Sequence, residues 1–202
     1  MEKVEIIQLF EKQAARYEKR RKKKSIDTKW RKKLLEDARG KILEVAVGAG
    51  ANFQFYSPAV EVTAVDFSPS MIEKAKQAAK EYGIQAEFIV ADVESLSFPE
   101  NCFDTIVSTL TLCSYSQPVQ VLNFFNTWCK KDGQILLMEH GISSFGPLAW
   151  IQNKMDGWQL RKLGCHANRD ILKIVSDSNI TIERHESYML GSVHLIWAKP
   201  QK

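Results

Sequence analysis

Apolar and polar residues alternate along this chain with two different periods. Residues 4–10 and 30–35 carry apolar side chains at helical spacing and predict two N-terminal helices. After Gly40 the period changes. Residues 41–47 (KILEVAV) form a short apolar run that ends in GAGANF, which predicts a buried strand entering a tight turn. Glu61–Asp66 predicts a second strand. Ser68 and Pro69 then open an apolar-periodic segment that runs to Tyr82 and meets Gly83, the expected start and stop signals of a helix. Residues 86–90, 104–110 and 134–139 predict three more strands, with a helix over 118–131 closed by Asp132 and Gly133. Strands alternating with helices imply an α/β architecture with a parallel sheet covered on both faces. Residues 180–188 and 193–199, joined across Leu190, Gly191 and Ser192, read as a hairpin that adds an antiparallel edge. Residues 141–170 fit the alternation poorly. They carry Phe145, Trp150, Trp158, Cys165 and His166, and form either a binding lid or an ordinary packed helix.

Composition narrows the class. The 202 residues are 45% hydrophobic and 26% charged, enough for one domain with a sizeable core. No apolar run of about 18 residues occurs, so no membrane span is expected. The opening MEKVEIIQLFEKQ lacks the apolar core of a secretory signal, so the expected location is cytoplasmic. Four cysteines, Cys102, Cys113, Cys129 and Cys165, are widely spaced without a CxxC pair. Reduced thiols are expected, with neither a disulfide framework nor a zinc site, and no metal. Net charge is +4, yet ten basic residues lie between Lys19 and Lys33 against the single Asp27. A solvated helical face is the plain reading of that stretch. Contact with an anionic surface, lipid headgroups or nucleic acid, is the alternative.

The chemistry concentrates in Glu44-Val-Ala-Val-Gly48-Ala-Gly50 and in Asp66, at the end of the next strand. Glycines there let the backbone turn sharply and let a ligand approach with no β-carbon in the way. An acid closing the second strand suits the paired hydroxyls of an adenosine ribose. A nicotinamide-binding loop requires a third glycine where this chain has Phe53, and no phosphate-binding GxxxxGK[ST] loop occurs. A third strand leads into Ala91-Asp92-Val93, where an acid could read an adenine amino group; the alternative for Asp92 is a turn cap.

EVAVGAG, VTAVDFSPSMIEKA, VADVESLSFPENCFDTIVSTLTLCS and ILLMEHG together resemble the motif series of class I methyltransferases, in order and spacing, over residues 41–141. The family's first glycine is Ala46 here. Within that superfamily the chain is similar to the ubiquinone and menaquinone biosynthesis type. It is more similar still to thiol S-methyltransferase-like and phospholipid N-methyltransferase-like proteins, through GANFQFY, TLTLCS, MEHG and GCHANRD. The resemblance implies a Rossmann-like, doubly wound sheet of seven strands, mostly parallel with the antiparallel hairpin at its end. It divides the single domain into a basic helical cap (1–39), a cofactor-binding core (40–140), a substrate lid (141–170) and the last helix with the hairpin (171–202). S-adenosyl-L-methionine is the implied cofactor and S-adenosyl-L-homocysteine the product. The implied cofactor contacts are Glu44, Ala46, Gly48, Ala49, Gly50 and Asn52 in the loop. They continue with Asp66, Phe67, Ser68 and Met71 after the second strand, Asp92 and Val93 after the third, and Thr109, Leu110 and Ser114 after the fourth. Tyr17 resembles a tyrosine that covers the cofactor.

The acceptor is expected to be a small, moderately apolar molecule bearing a thiol, an amine or a phenol. His140, at the same sheet edge, is the first candidate base, and His166 in GCHANRD is the second. Nucleic-acid methylation through the basic stretch is the competing reading. No [DN]PP[YF] motif is present, and none of the six prolines precedes a cysteine. A non-catalytic cofactor-binding module is the third.

Overall fold

The computed structural model describes residues 3–23 and 25–202. Its first strand, β1 (Lys41–Val45), pairs in parallel with β2 (Glu61–Asp66) on one side and with β4 (Phe103–Thr109) on the other. Beyond β2 lies β3 (Gln85–Val90), and beyond β4 lies β5 (Cys129–His140), both parallel. The final two strands, β6 (Ile180–Tyr188) and β7 (Val193–Pro200), form the expected antiparallel hairpin, with β7 against β5 and β6 at the edge. The sheet therefore runs β3-β2-β1-β4-β5-β7-β6.

Strands buried on both faces need no polar alternation, which is why KILEV and its neighbours read as continuous apolar runs. Their side chains nevertheless sort by parity into two cores. Ile42, Val62, Val107, Leu136 and Trp197 face one side, with Leu34, Leu35, Ile72 and Ala75. Those four come from α2 (Ile26–Leu35) and α3 (Pro69–Tyr82). Leu43, Val65, Ile106, Leu137 and Ile196 face the other side, with Leu122, Phe125 and Val175. These come from α4 (Pro118–Trp128) and α6 (Ile171–Ser176). Helix α1 (Lys3–Arg21) packs on α3. The punctuation of α3 is as expected: Ser68 accepts from the Met71 amide, Pro69 begins the helix, and Gly83 ends it at φ 67°.

Three expectations require correction. Helix α4 stops at Trp128, not Lys131, because Cys129 turns extended (ψ 139°) to pair with Phe103, while Lys130 reaches Asp104 at 2.7 Å. Strand β5 thus begins at Cys129 rather than Gln134. The basic stretch is not a uniformly solvated face. Arg21 and Arg31 are buried, Arg21 donating to Glu81 (2.9 Å) and Tyr82 (3.1 Å).

The 141–170 segment contains α5 (Gly146–Leu163), which buries none of its residues and leaves Trp150 and Trp158 more than half exposed. Polar bonds hold it. Gln152 donates to the carbonyls of Gly141 (3.0 Å) and Ala167 (3.1 Å), and Asp156 accepts from the Ala167 amide at 2.8 Å. No helix among the described residues is long and apolar enough to cross a membrane.

Candidate cofactor and acceptor cavities

At the carboxyl edge of β1, β2 and β4 the chain leaves a cavity, with the 46–51 loop as one wall and α1 and α2 as the roof. Open α/β sheets bind ligands at this edge, beside the strand where the order reverses. The loop's glycines have separate causes. Gly48, at φ 54°, faces open space, and a β-carbon there would meet nothing closer than Tyr17 Cδ1 at 3.9 Å. Gly50, at φ 74°, lies against α3, where a β-carbon would stand 2.8 Å from that of Ala78. Gly48 therefore opens onto the cavity, and Gly50 packs against α3, off the cavity wall. Ala46 adopts φ 46°, a left-handed conformation that disfavours any β-carbon. Ala46→Gly is expected to raise stability by about 0.5 kcal/mol, since relief of strain outweighs glycine's greater freedom when unfolded. A thermal melt checks this, and a lowered midpoint would show that the methyl group packs usefully.

Asp66 fixes the loop from the strand beside it. One carboxylate oxygen accepts from the Gly48 amide (2.8 Å), the other from the Ser68 amide (2.9 Å). Burial pushes its pKa up to about 6 despite those two bonds. Asp66 lines the cavity, and a carboxylate has acceptor capacity beyond those two bonds. Ser68 itself is fully buried and hydrogen-bonds Glu11 of α1, which also reaches Ser70, so α1 is tethered to the start of α3.

Behind the loop runs a buried polar chain. Glu44 accepts from Asn52 Nδ2 (2.9 Å) and from the Tyr56 hydroxyl (2.7 Å). Arg31 donates to Asn52 Oδ1 (2.6 Å) and to Thr109 Oγ1 (2.9 Å). Arg31 and Thr109 line the cavity; Glu44 and Asn52 stand one layer back. Desolvation raises the Glu44 pKa to about 7, against the pull of Tyr56 and Arg31.

Other expected contacts divide in the same way. Ala46, Ala49, Phe67 and Met71 lie on the wall with Gly48 and Asp66, as do Leu110, Ser114 and the roofing Tyr17. Asp92 does not. It caps the 3-10 turn Val93–Ser95 by accepting from the Glu94 amide (3.0 Å) and forms an ion pair with Lys3, while Val93 is in the core. Several wall residues went unforeseen in the sequence, among them Arg31, and Tyr115, whose buried hydroxyl has no hydrogen-bond partner.

The loop after β4 is held by Glu139 at the end of β5. This fully buried carboxylate accepts from the Thr111 amide (2.8 Å), the Leu112 amide (3.1 Å) and the Ser108 hydroxyl (2.7 Å). Burial pushes its pKa up against those three bonds. The same loop holds Leu110 at φ 62°, turning its side chain toward the cavity. A second cavity adjoins the first and shares Phe10, Tyr17, Arg20, Asp27, Leu110 and Ser114 with it. Its further walls include Trp30, Met138 and Leu163, and also Cys113, His140 and Cys165. The Sγ atoms of the two cysteines and a ring nitrogen of His140 lie within 4.8 Å of one another. Cysteines scattered along the sequence thus meet in space. His166, by contrast, lies off both walls, its Nδ1 2.8 Å from Asp156. His185 and His194 bond each other at 3.0 Å in the terminal hairpin.

A family model described as a methyltransferase domain matches residues 42–133. A phosphatidylethanolamine N-methyltransferase of Cereibacter sphaeroides is 30% identical over 145 residues, covering 71% of each chain. The human thiol S-methyltransferase TMT1B is 34% identical over 161 residues, which cover 74% of this chain and 66% of that protein. This chain therefore spans just under two thirds of the human relative's length. Among solved structures, the YcgJ protein of Bacillus subtilis superposes with a TM-score of 0.69, over 86% of this chain and 99% of its own. At 17% identity it speaks for the fold alone. On this sheet, and at the identity and coverage of the Cereibacter sphaeroides relative, the chain belongs to the class I S-adenosylmethionine-dependent methyltransferases.

Proposed function

We propose that the chain methylates a small acceptor with an apolar body, bound in the second cavity beside S-adenosylmethionine in the first. The observation that carries this reading is the wall shared by the two cavities, which includes Phe10, Tyr17, Leu110 and Ser114. A nucleophile in one chamber would thereby meet a methyl group presented from the other. The two relatives, named for methylating phosphatidylethanolamine and a thiol, support an acceptor of this type.

The cofactor supplies a sulfonium methyl group that a lone pair can displace in line. The protein's task is alignment and exclusion of water. Asp66 is placed to accept hydrogen bonds from the ribose hydroxyls. Arg31, buried in the wall beside Asp27 (3.5 Å), is the cation that would hold the methionyl carboxylate. Helix α5 contributes Gln159 and Leu163 to the second cavity and would serve as the acceptor-side cover. Of the two candidate bases, His140 lines that cavity and His166 does not. A small acceptor is favoured over nucleic acid because two of the arginines in the basic stretch are turned inward.

The test has two arms. Titration calorimetry should show saturable binding of S-adenosylhomocysteine, weakened roughly tenfold or more in Arg31→Met, as loss of a charge-assisted pair implies. Unchanged affinity in that variant would remove Arg31 from the site. Labelled methyl transfer should then occur to at least one of an alkyl thiol, an alkyl amine and a phenol. No transfer to any of them by a chain that binds the product would overturn the small-acceptor reading.

A further inference from the structure

Cys113, His140 and Cys165 come from three separate segments: the loop after β4, the end of β5, and the turn that ends α5. All three line the second cavity, and their ligand atoms lie within 4.8 Å of one another. We propose that these three side chains form a zinc site whose open fourth position faces the second cavity and takes the thiolate of the acceptor. The thiolate half rests on the small-acceptor reading above; the metal half does not.

The donor set argues for the ion. Two thiolates and one imidazole are soft to borderline ligands that select zinc over calcium or magnesium. Two thiolates also balance a divalent charge. Three protein ligands with an open fourth position is the pattern of zinc sites that handle a substrate, whereas structural sites close all four. Sulfurs bound about 2.3 Å from a tetrahedral ion lie about 3.8 Å apart, so the observed group needs to close by no more than about 1 Å.

The surroundings hold the ligands in place. The His166 amide donates to the Cys113 carbonyl (2.9 Å), tying the two cysteine loops together. Arg169 donates to the carbonyls on either side of Cys113, those of Leu112 and Tyr115, at 2.6 Å each. Gln159 reaches Cys165 Sγ at 3.7 Å. Gly164, at φ 74°, presents Cys165 beneath α1, where a β-carbon would stand 2.9 Å from Phe10.

The chemistry closes without another reactant. The acceptor thiol gives its proton to solvent as its sulfur takes the fourth position. The sulfur pair then forms the new S–CH3 bond while the sulfonium C–S bond breaks, and its electrons leave on S-adenosylhomocysteine. The product thioether is neutral and a poor ligand, so it departs.

The full chain, purified under reducing conditions without chelator and dialysed against zinc salt, should hold about one zinc by mass spectrometry. Cys165→Ser and His140→Gln should lose most of it while still binding S-adenosylhomocysteine, which controls for folding. The cobalt-substituted protein should show a thiolate charge-transfer band that shifts on addition of butanethiol but not of butylamine. A reduced chain that binds S-adenosylhomocysteine yet holds no zinc overturns the site, as does a metal content unchanged in both variants. A Cys113–Cys165 disulfide in a metal-free chain overturns it too. A cobalt spectrum indifferent to butanethiol overturns the acceptor half. Failure of S-adenosylhomocysteine to bind would instead strike the proposed function and leave the metal count standing.

Discussion

Replacing Glu139 with alanine is expected to destabilise the chain by about 4 kcal/mol and to weaken S-adenosylhomocysteine binding with it. Glu139 is fully buried, and its two oxygens take up the amides of Thr111 and Leu112 and the Ser108 hydroxyl. Removing the carboxylate leaves two buried amides without an acceptor, each worth about 1–3 kcal/mol, and opens a cavity besides. For a chain of this size the melting midpoint should fall by roughly 10 °C. The same amides anchor the loop that carries Leu110 and Ser114 to the first cavity, the proposed cofactor site, so affinity should fall even where the chain remains folded. Glu139→Gln keeps one good acceptor oxygen and should fall between. A melting midpoint for Glu139→Ala within 2 °C of the parent would show that water or another group satisfies the loop.

The second large effect is on pH. Stability of the ligand-free chain is expected to fall by about 3 kcal/mol as pH rises from about 4.5 to about 7, through Glu44 alone. Burial raises the Glu44 pKa from 4.5 to about 7, so in that window the native state holds a proton that the unfolded state has released. A rise in pH therefore favours unfolding, and the loss is complete above the folded value. Asp66, raised to about 6 by burial, acts in the same direction over a lower window. Carboxylates held down oppose this trend only at lower pH. Glu186, for example, sits at about 2 through its bonds to Lys33, Tyr188 and Arg184. Urea midpoints taken from pH 4.5 to 8 for the parent and for Glu44→Gln provide the check. The variant should show a distinctly flatter profile, and superimposable profiles would mean that Glu44 is already charged at low pH.

The fold was legible wherever local backbone constraints coincide with burial. KILEV followed by a glycine turn, Ser68-Pro69 opening α3 and Gly83 closing it are all local, and each appears where the spacing placed it. The end of α4 was not. Neither glycine nor proline marks Trp128, and the stop is imposed by Phe103, a strand away, which pairs with Cys129. In the site, the loop and Asp66 were readable because a turn and a strand end carry their own signature. Arg31 was hidden by its setting among lysines, although a signal was present. Arg31, Leu34 and Leu35 sit at i, i+3 and i+4, the spacing of one helix face, and the two leucines are core residues. Glu139 had a signal as well, being a lone carboxylate closing the apolar run ILLME. The meeting of Cys113 with Cys165 had none, since no local rule predicts which loops gather at a sheet edge.

Half of the roof of the first cavity is the chain's own first helix, packed on α3 and tethered through Glu11 to Ser68 and Ser70. Phe10, Tyr17, Arg20 and Arg21 all face the cavity from that helix. With S-adenosylmethionine in this cavity, as proposed, its exchange is expected to couple to movement of that helix. Affinity and residence time are thereby separable. Loosening the Glu11 contacts, as in Glu11→Ala, is expected to quicken S-adenosylhomocysteine release more than it weakens binding, which stopped-flow dissociation beside calorimetry checks.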